Sequence, residues 1–87
     1  MQSTADRILR IVAEVAATEE IWQDPDILLY DLGLLDSFST VELMVALGRE
    51  FGIEISPAEI ERNDWATPRR IVAFIEAKLT TRGRPAA

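Results

Sequence analysis

The stretch "LLDSFSTVEL" places an Asp–Ser pair, Asp36 and Ser37, where an apolar loop gives way to a predicted helix. Asp and Ser are both favoured N-cap residues, so the pair could simply begin the helix. The Ser37 hydroxyl could instead be an attachment point for a chemical group that the twenty amino acids do not supply. The dipeptide alone leaves both interpretations open, because short motifs occur often by chance.

The chain lacks the side chains that most often carry out catalysis or bind metals. Its 87 residues include no Cys and no His. It therefore lacks a thiol nucleophile, a Cys-based zinc site, the usual general base and a Ser–His–Asp triad. We expect no catalytic residues, no metal site and no enzyme activity. Any reactive thiol has to come from outside the chain.

The charge balance limits the partners. Fifteen acidic and nine basic residues give a formal net charge of −6, which repels nucleic acid and anionic membranes. No apolar run approaches the roughly 18 residues of a membrane span. The first twenty residues carry acidic side chains and lack the apolar segment of a signal peptide. We expect a cytoplasmic monomer with no nucleic acid partner and no membrane span.

Hydrophobic periodicity predicts an all-α fold, a small four-helix bundle. The first helix should cover residues 4–18, with Thr4 as N-cap, and the second residues 37–51, ended by Gly52. We expect close backbone packing at Gly48, since glycine is otherwise unfavourable inside a helix. The apolar positions in the two helices are Ile8, Leu9, Ile11, Val12, Val15 and Ala16, then Phe38, Val41, Met44, Val45, Leu47 and Phe51.

Two capping signals predict the remaining helices. Ser56, Pro57 and Glu59 form a capping-box pattern that should begin a short third helix over residues 57–62. Thr67 and Pro68 repeat the cap and first-turn proline, which predicts a last helix over residues 68–80 with an apolar stripe. Residues 1–80 would then form one domain, and residues 81–87 a flexible tail.

The connection between the first two helices, residues 19–36, is long and unusually apolar. A free linker would not carry so many large aliphatic side chains, so we expect this loop to pack on the bundle. Long loops in compact domains are commonly functional. That placement would hold the start of the second helix in position.

"GLLDSFSTVEL" resembles the phosphopantetheine attachment region of acyl and peptidyl carrier proteins, where an Asp–Ser pair opens the second helix. Together with "IERNDWATPRRIVAFIE", it is more specifically similar to the discrete D-alanyl carrier proteins, which have a similar "DW-x-T" stretch before their last helix. The resemblance covers nearly the whole chain. It implies a four-helix bundle of the acyl carrier type, with a long first loop and a short third helix.

The resemblance also implies a cofactor and a set of partners. A phosphopantetheinyl transferase would attach 4′-phosphopantetheine from coenzyme A to Ser37, with Asp36 in a supporting role. A phosphodiester at a helix N-terminus would lie near the positive end of the dipole and near free backbone amides. An adenylating amino acid ligase would load the arm, and an acyl or aminoacyl transferase or synthase would receive the cargo.

Partner contacts are expected around the start of the second helix. The candidates are Leu35, Phe38, Ser39, Val41, Glu42 and Trp65. Phe38 could be an exposed docking contact or a core anchor. For Trp65 we favour a packing role with its N–H bonded to backbone, and support of the surface facing the arm as a further possibility. Residues 36–51 hold three acidic side chains and one basic one, a net charge of −2, which favours an apolar interface over a strongly electrostatic one.

Three functions remain open on the sequence. Eight of the nine basic residues are Arg, a bias that favours a carrier in polyketide or nonribosomal peptide biosynthesis in a GC-rich bacterium. D-alanylation of teichoic acids is the alternative implied by the family resemblance. A helical interaction module without a cofactor, in which Asp36 only caps a helix, is the third.

Overall fold

Three α-helices form the frame of the structure, a computed structural model that describes residues 3–82. They are α1 (Thr4–Ala16), α2 (Ser37–Phe51) and α3 (Pro68–Arg82), and α1 contacts both of the others. The described part of the chain contains no strand, and none of its helices is long and apolar enough to cross a bilayer. Helix α3 runs two residues beyond the expected end at residue 80. The rest of the predicted tail, residues 83–87, lies outside the described residues.

The helix ends follow local capping chemistry. The side chain of Ser3, and not that of Thr4 as expected, caps α1 by accepting the N–H of Asp6 at 3.1 Å. Ala17 then ends α1 in the left-handed region with φ 56°, so the helix is shorter than predicted. Helix α2 has the predicted bounds, with Gly52 at φ 64° directly after it.

Gly48 brings α2 against the chain that follows it. A Cβ at this position would lie 2.9 Å from the carbonyl oxygen of Ile53, which is too close for any side chain. The N–H of Ile53 donates to the carbonyl of Gly48 at 3.0 Å. The predicted close packing is thus confirmed, and it fixes the segment after α2 along the helix surface.

The predicted short third helix is not an α-helix. Its start is a 3-10 turn, Pro57–Glu59, and a second 3-10 turn follows at Arg62–Trp65. Ile60 between them is extended, with φ −106° and ψ 121°. Each turn has its own capping box, and a single turn gains too little from hydrogen bonding to propagate into a helix without tertiary support.

The core combines helix and loop side chains. Ile21, Leu29 and Leu35 of the long loop are buried, which confirms that the loop packs on the bundle. Helix α2 buries Met44 and Leu47 of the predicted stripe, together with Leu43, which was not predicted. Val41 and Val45 are about half exposed. Because α2 is apolar on most sides, its sequence alone did not determine which face turns inward.

Candidate functional site

Backbone hydrogen bonds anchor the long loop to the start of α3. The N–H of Leu29 donates to the carbonyl of Ala66, and the N–H of Arg69 donates to that of Pro25, each at 2.9 Å. The Arg69 guanidinium also binds both carboxylate oxygens of Asp26, at 2.8 and 3.2 Å. These hydrogen bonds from Arg69 lower the pKa of Asp26. An arginine in the first turn of α3, unfavourable for the helix dipole, thus holds the loop in place.

A tyrosine joins the other end of the loop to α2. The hydroxyl of Thr40 donates to the carbonyl of Asp36 at 2.7 Å, and the Tyr30 hydroxyl lies 2.7 Å from Thr40 Oγ1. Because the single Thr40 proton goes to the carbonyl, the Tyr30 hydroxyl is the donor in the second bond. Asp36, directly before Ser37, and Thr40, three residues after it, are therefore tied to Tyr30 of the loop through one chain of hydrogen bonds.

Asp36 is the N-cap of α2, as predicted. Its Oδ1 accepts the backbone N–H of Ser39 at 2.8 Å and the Ser39 hydroxyl at 3.0 Å. The backbone bond from Ser39, and next its side-chain bond, lower the pKa of Asp36, with a smaller contribution from the amide of Phe38. This corrects one expectation: amides at the start of α2 already point to the Asp36 carboxylate and are not all available to a phosphate at Ser37.

Ser37 is the first residue of α2, and it is exposed. It lies at the edge of a groove of about 530 Å³ between the loop, α2 and the chain from Pro57 to Arg62. The groove is lined mainly by apolar side chains with a few polar groups: Tyr30, Gly33, Leu35, Asp36, Ser37, Thr40, Val41, Met44, Pro57, Ile60 and Arg62. An exposed hydroxyl next to an open groove fits the covalent attachment of a flexible group.

The predicted partner contacts divide into two sets. Phe38 is 75% exposed, Val41 is 52% exposed and Glu42 is exposed, so all three present surface beside Ser37. Ser39 is half-buried and bonded to Asp36. Val45, 49% exposed and one turn beyond Val41, extends this surface and was not among the predicted contacts. For Phe38, the structure therefore favours the exposed position over the core anchor.

Two other candidates lie in the core. Leu35 is 2% exposed and Trp65 0%, so their side chains offer a partner no surface. Trp65 packs edge-on against Phe74, with ring centroids 5.8 Å apart and an interplanar angle of 81°. Its packing role matches the favoured expectation, but its Nε1 has no hydrogen-bond partner within residues 3–82 where backbone had been expected. Asp64 caps its own turn, Arg62–Trp65, by accepting the N–H of Glu61 at 3.2 Å.

Comparisons with known proteins place this site in a family. Residues 6–75 match the family described as "Phosphopantetheine attachment site". A D-alanyl carrier protein of Staphylococcus saprophyticus is 41% identical over 71 residues, covering 82% of this chain and 91% of the relative. One from Bacillus velezensis is 45% identical over 65 residues, covering 75% and 83%. One from Listeria welshimeri is 39% identical over 72 residues, covering 83% and 92%.

These matches agree with the architecture of the site. The matched region contains the long loop, the Asp36 cap, Ser37 and the groove beside it. The cysteine-free chain lacks a thiol, and phosphopantetheine supplies one. The chain therefore belongs to the phosphopantetheine-binding family of acyl and peptidyl carrier proteins, is similar to the D-alanyl carrier proteins, and bears covalently attached 4′-phosphopantetheine.

Proposed function

We propose that this carrier holds a D-alanyl group as a thioester on a 4′-phosphopantetheine arm attached to Ser37. The observation that carries the attachment is the exposed residue Ser37 at the first position of α2, next to the N-cap Asp36 and an open groove. The arm supplies a thiol that can hold an acyl group in activated form. The protein itself supplies position and recognition, and we propose no catalysis of its own.

Attachment at Ser37 transfers a phosphopantetheinyl group from the pyrophosphate of coenzyme A to the serine hydroxyl and leaves a phosphodiester. The Ser37 Oγ bonds to the phosphorus that carries pantetheine, and the pyrophosphate bond of coenzyme A breaks. Adenosine 3′,5′-bisphosphate leaves, and the hydroxyl proton passes to the transferase or to solvent. The ionised Asp36, hydrogen-bonded within its own chain, serves as a cap and a negative recognition point and not as the base for this step.

Docking would use the apolar surface beside the arm. Phe38, Val41 and Val45 follow one another along the exposed side of α2, and each is at least 49% exposed. Aromatic side chains in such positions often dominate the binding energy of an interface. The proposed partners are a phosphopantetheinyl transferase, an adenylating ligase that loads the arm, and a transferase that receives the cargo. Leu35 and Trp65 are not included in this surface because they are buried.

The nature of the cargo rests on the relatives. Proteins called D-alanyl carrier proteins match most of the chain, which favours the D-alanyl alternative over the polyketide or nonribosomal peptide pathway that the arginine bias had favoured. A composition bias reports codon usage more than it reports binding chemistry, so it is the weaker indicator. We propose teichoic acid D-alanylation as the corresponding destination.

A loading assay tests the cargo. The phosphopantetheinylated protein is incubated with ATP and an adenylating ligase known to load a D-alanyl carrier protein, with D-alanine, L-alanine and glycine supplied separately. We expect a thioester adduct with D-alanine that hydroxylamine releases, and much less with the other two. Failure of D-alanine to load, with successful loading by an amino acid ligase of an assembly line, would support the natural-product alternative instead.

A further inference from the structure

The groove beside Ser37 contains a cation without a carboxylate partner. Arg62 is the only basic residue among the described residues that line it. Its guanidinium carbon lies 4.7 Å from the centroid of the Tyr30 ring. Arg7, Arg69 and Lys78 each pair with a carboxylate, whereas Arg62 makes no ion pair within residues 3–82.

Tyr30 places this cation relative to the attachment point. Its hydroxyl is bonded to Thr40, which in turn is bonded to the carbonyl of Asp36, next to Ser37. The Arg62 guanidinium packs over the face of the same Tyr30 ring. One aromatic side chain thus connects the first turn of α2 to the guanidinium across the groove, and this contact orients the cation without supplying a competing anion.

A phosphodiester on Ser37 would need such a cation. The Asp36 carboxylate already accepts the Ser39 amide, and its negative charge offsets part of the helix dipole at this end. A second anion would therefore meet both a nearby carboxylate and a reduced supply of backbone donors. The chain has a formal net charge of −6, so its overall field gives no compensation.

We propose that Arg62 binds the phosphodiester of the arm and draws the arm toward the groove; this inference rests on attachment at Ser37. The planar guanidinium offers paired N–H donors that match two phosphate oxygens. Arg62 is a positioning residue: it sets the direction in which the arm leaves α2 and takes no part in forming or breaking the thioester.

Phosphorus NMR of the phosphopantetheinylated protein tests this contact. Arg62→Gln should move the ³¹P resonance of the phosphodiester from its wild-type position, and Arg62→Lys should give an intermediate position because it keeps the charge but not the paired donors. Arg10→Gln is the matched control. Arg10 Nη2 lies 3.9 Å from Oε2 of Glu50. Glu50 lies about 20 Å along α2 from Ser37, so the ³¹P resonance of this variant should stay at the wild-type position.

A second signal comes from the arginine itself. In ¹⁵N-labelled wild-type protein, the Arg62 Nε–Hε cross-peak should shift when the arm is attached. Coenzyme A added in equimolar amount to the Ser37→Ala variant should leave that cross-peak in place, because an untethered phosphate lacks the effective concentration of an attached one. An equal shift of the Arg62 cross-peak with free coenzyme A would contradict the claim that the contact depends on attachment of the phosphate at Ser37.

Intact mass separates the failure of this inference from failure of the proposed attachment. If every variant carries the arm but Arg62→Gln leaves the ³¹P resonance at the wild-type position, or the Arg62 cross-peak does not move, the contact is refuted and the carrier function stands. If the wild-type protein gains no arm, or Ser37→Ala still gains one, the attachment site is wrong and the Arg62 proposal falls with it.

Discussion

Phe38→Ala separates docking from folding, because the phenyl ring follows Ser37 directly and is 75% exposed. Full burial of such a side chain contributes about 1.5–3 kcal/mol. With about a quarter of that burial present, removal of the ring should lower the free energy of unfolding by only about 0.4–0.8 kcal/mol. Urea unfolding of the apo protein measures this change.

The effect on a partner should be larger. Truncation of an aromatic residue at the centre of an interface costs about 2 kcal/mol or more, which corresponds to a loss of about 30-fold in kcat/KM. The assay is the initial rate of loading by the ligase at carrier concentrations below KM, followed by intact mass. Equal phosphopantetheine content of the two proteins is confirmed first, so that the rate reports docking alone.

Trp22→Ala is the matched control for this prediction. Trp22 is also an exposed aromatic residue, 43% exposed, but it lies at the beginning of the long loop and does not line the groove at Ser37. Its removal should leave loading unchanged. A wild-type loading rate for Phe38→Ala, or an equal loss for both variants, would refute the assignment of the docking surface to α2.

Three further changes test the supporting structure. Gly48→Ala should lower the free energy of unfolding, measured in urea, by about 1 kcal/mol. The clash of the new Cβ with the Ile53 carbonyl outweighs the gain of about 1 kcal/mol that alanine usually brings to a helix. A stabilised variant would contradict the close approach. Tyr30→Phe removes the hydrogen bond to Thr40 and should also lower the free energy of unfolding by about 1 kcal/mol. An unchanged urea midpoint would contradict the contribution of that hydrogen bond. The lowered pKa of Asp36 means that its ionised carboxylate stabilises the fold above the ordinary carboxyl range, and this stabilisation is lost as pH falls through the lowered value. Asp36→Asn keeps a capping side chain but cannot ionise, so its free energy of unfolding should depend less on pH in the acidic range. An unaltered pH profile would contradict this.

Local chemistry made much of the fold predictable. Three predicted helix ends depend on neighbours only a few residues away in sequence, and all three are present in the structure. They are the N-cap of α2 at Asp36, the end of α2 at Gly52 and the start of α3 at Thr67 and Pro68. Gly48 was predictable for a related reason, because a glycine inside a helix is costly unless the backbone must approach another segment.

Features that depend on tertiary contacts were less predictable. The capping box at Ser56 begins only a 3-10 turn, because the next residues turn away at Ile60 and a second box restarts the chain. The inward face of α2 is set by where α1 and the long loop lie, which the apolar pattern of α2 does not specify. Leu35 was predicted to be a contact from its place beside Ser37, although the fold turns its side chain into the core.

The central claim is tested most directly by the mass of three proteins after incubation with a phosphopantetheinyl transferase and coenzyme A. The wild-type chain and Ser39→Ala should each gain one phosphopantetheine group, since Ser39 lies two residues away and its hydroxyl only donates to Asp36. Ser37→Ala should gain none. An unmodified wild-type chain, or a modified Ser37→Ala variant, would contradict Ser37 as the attachment site.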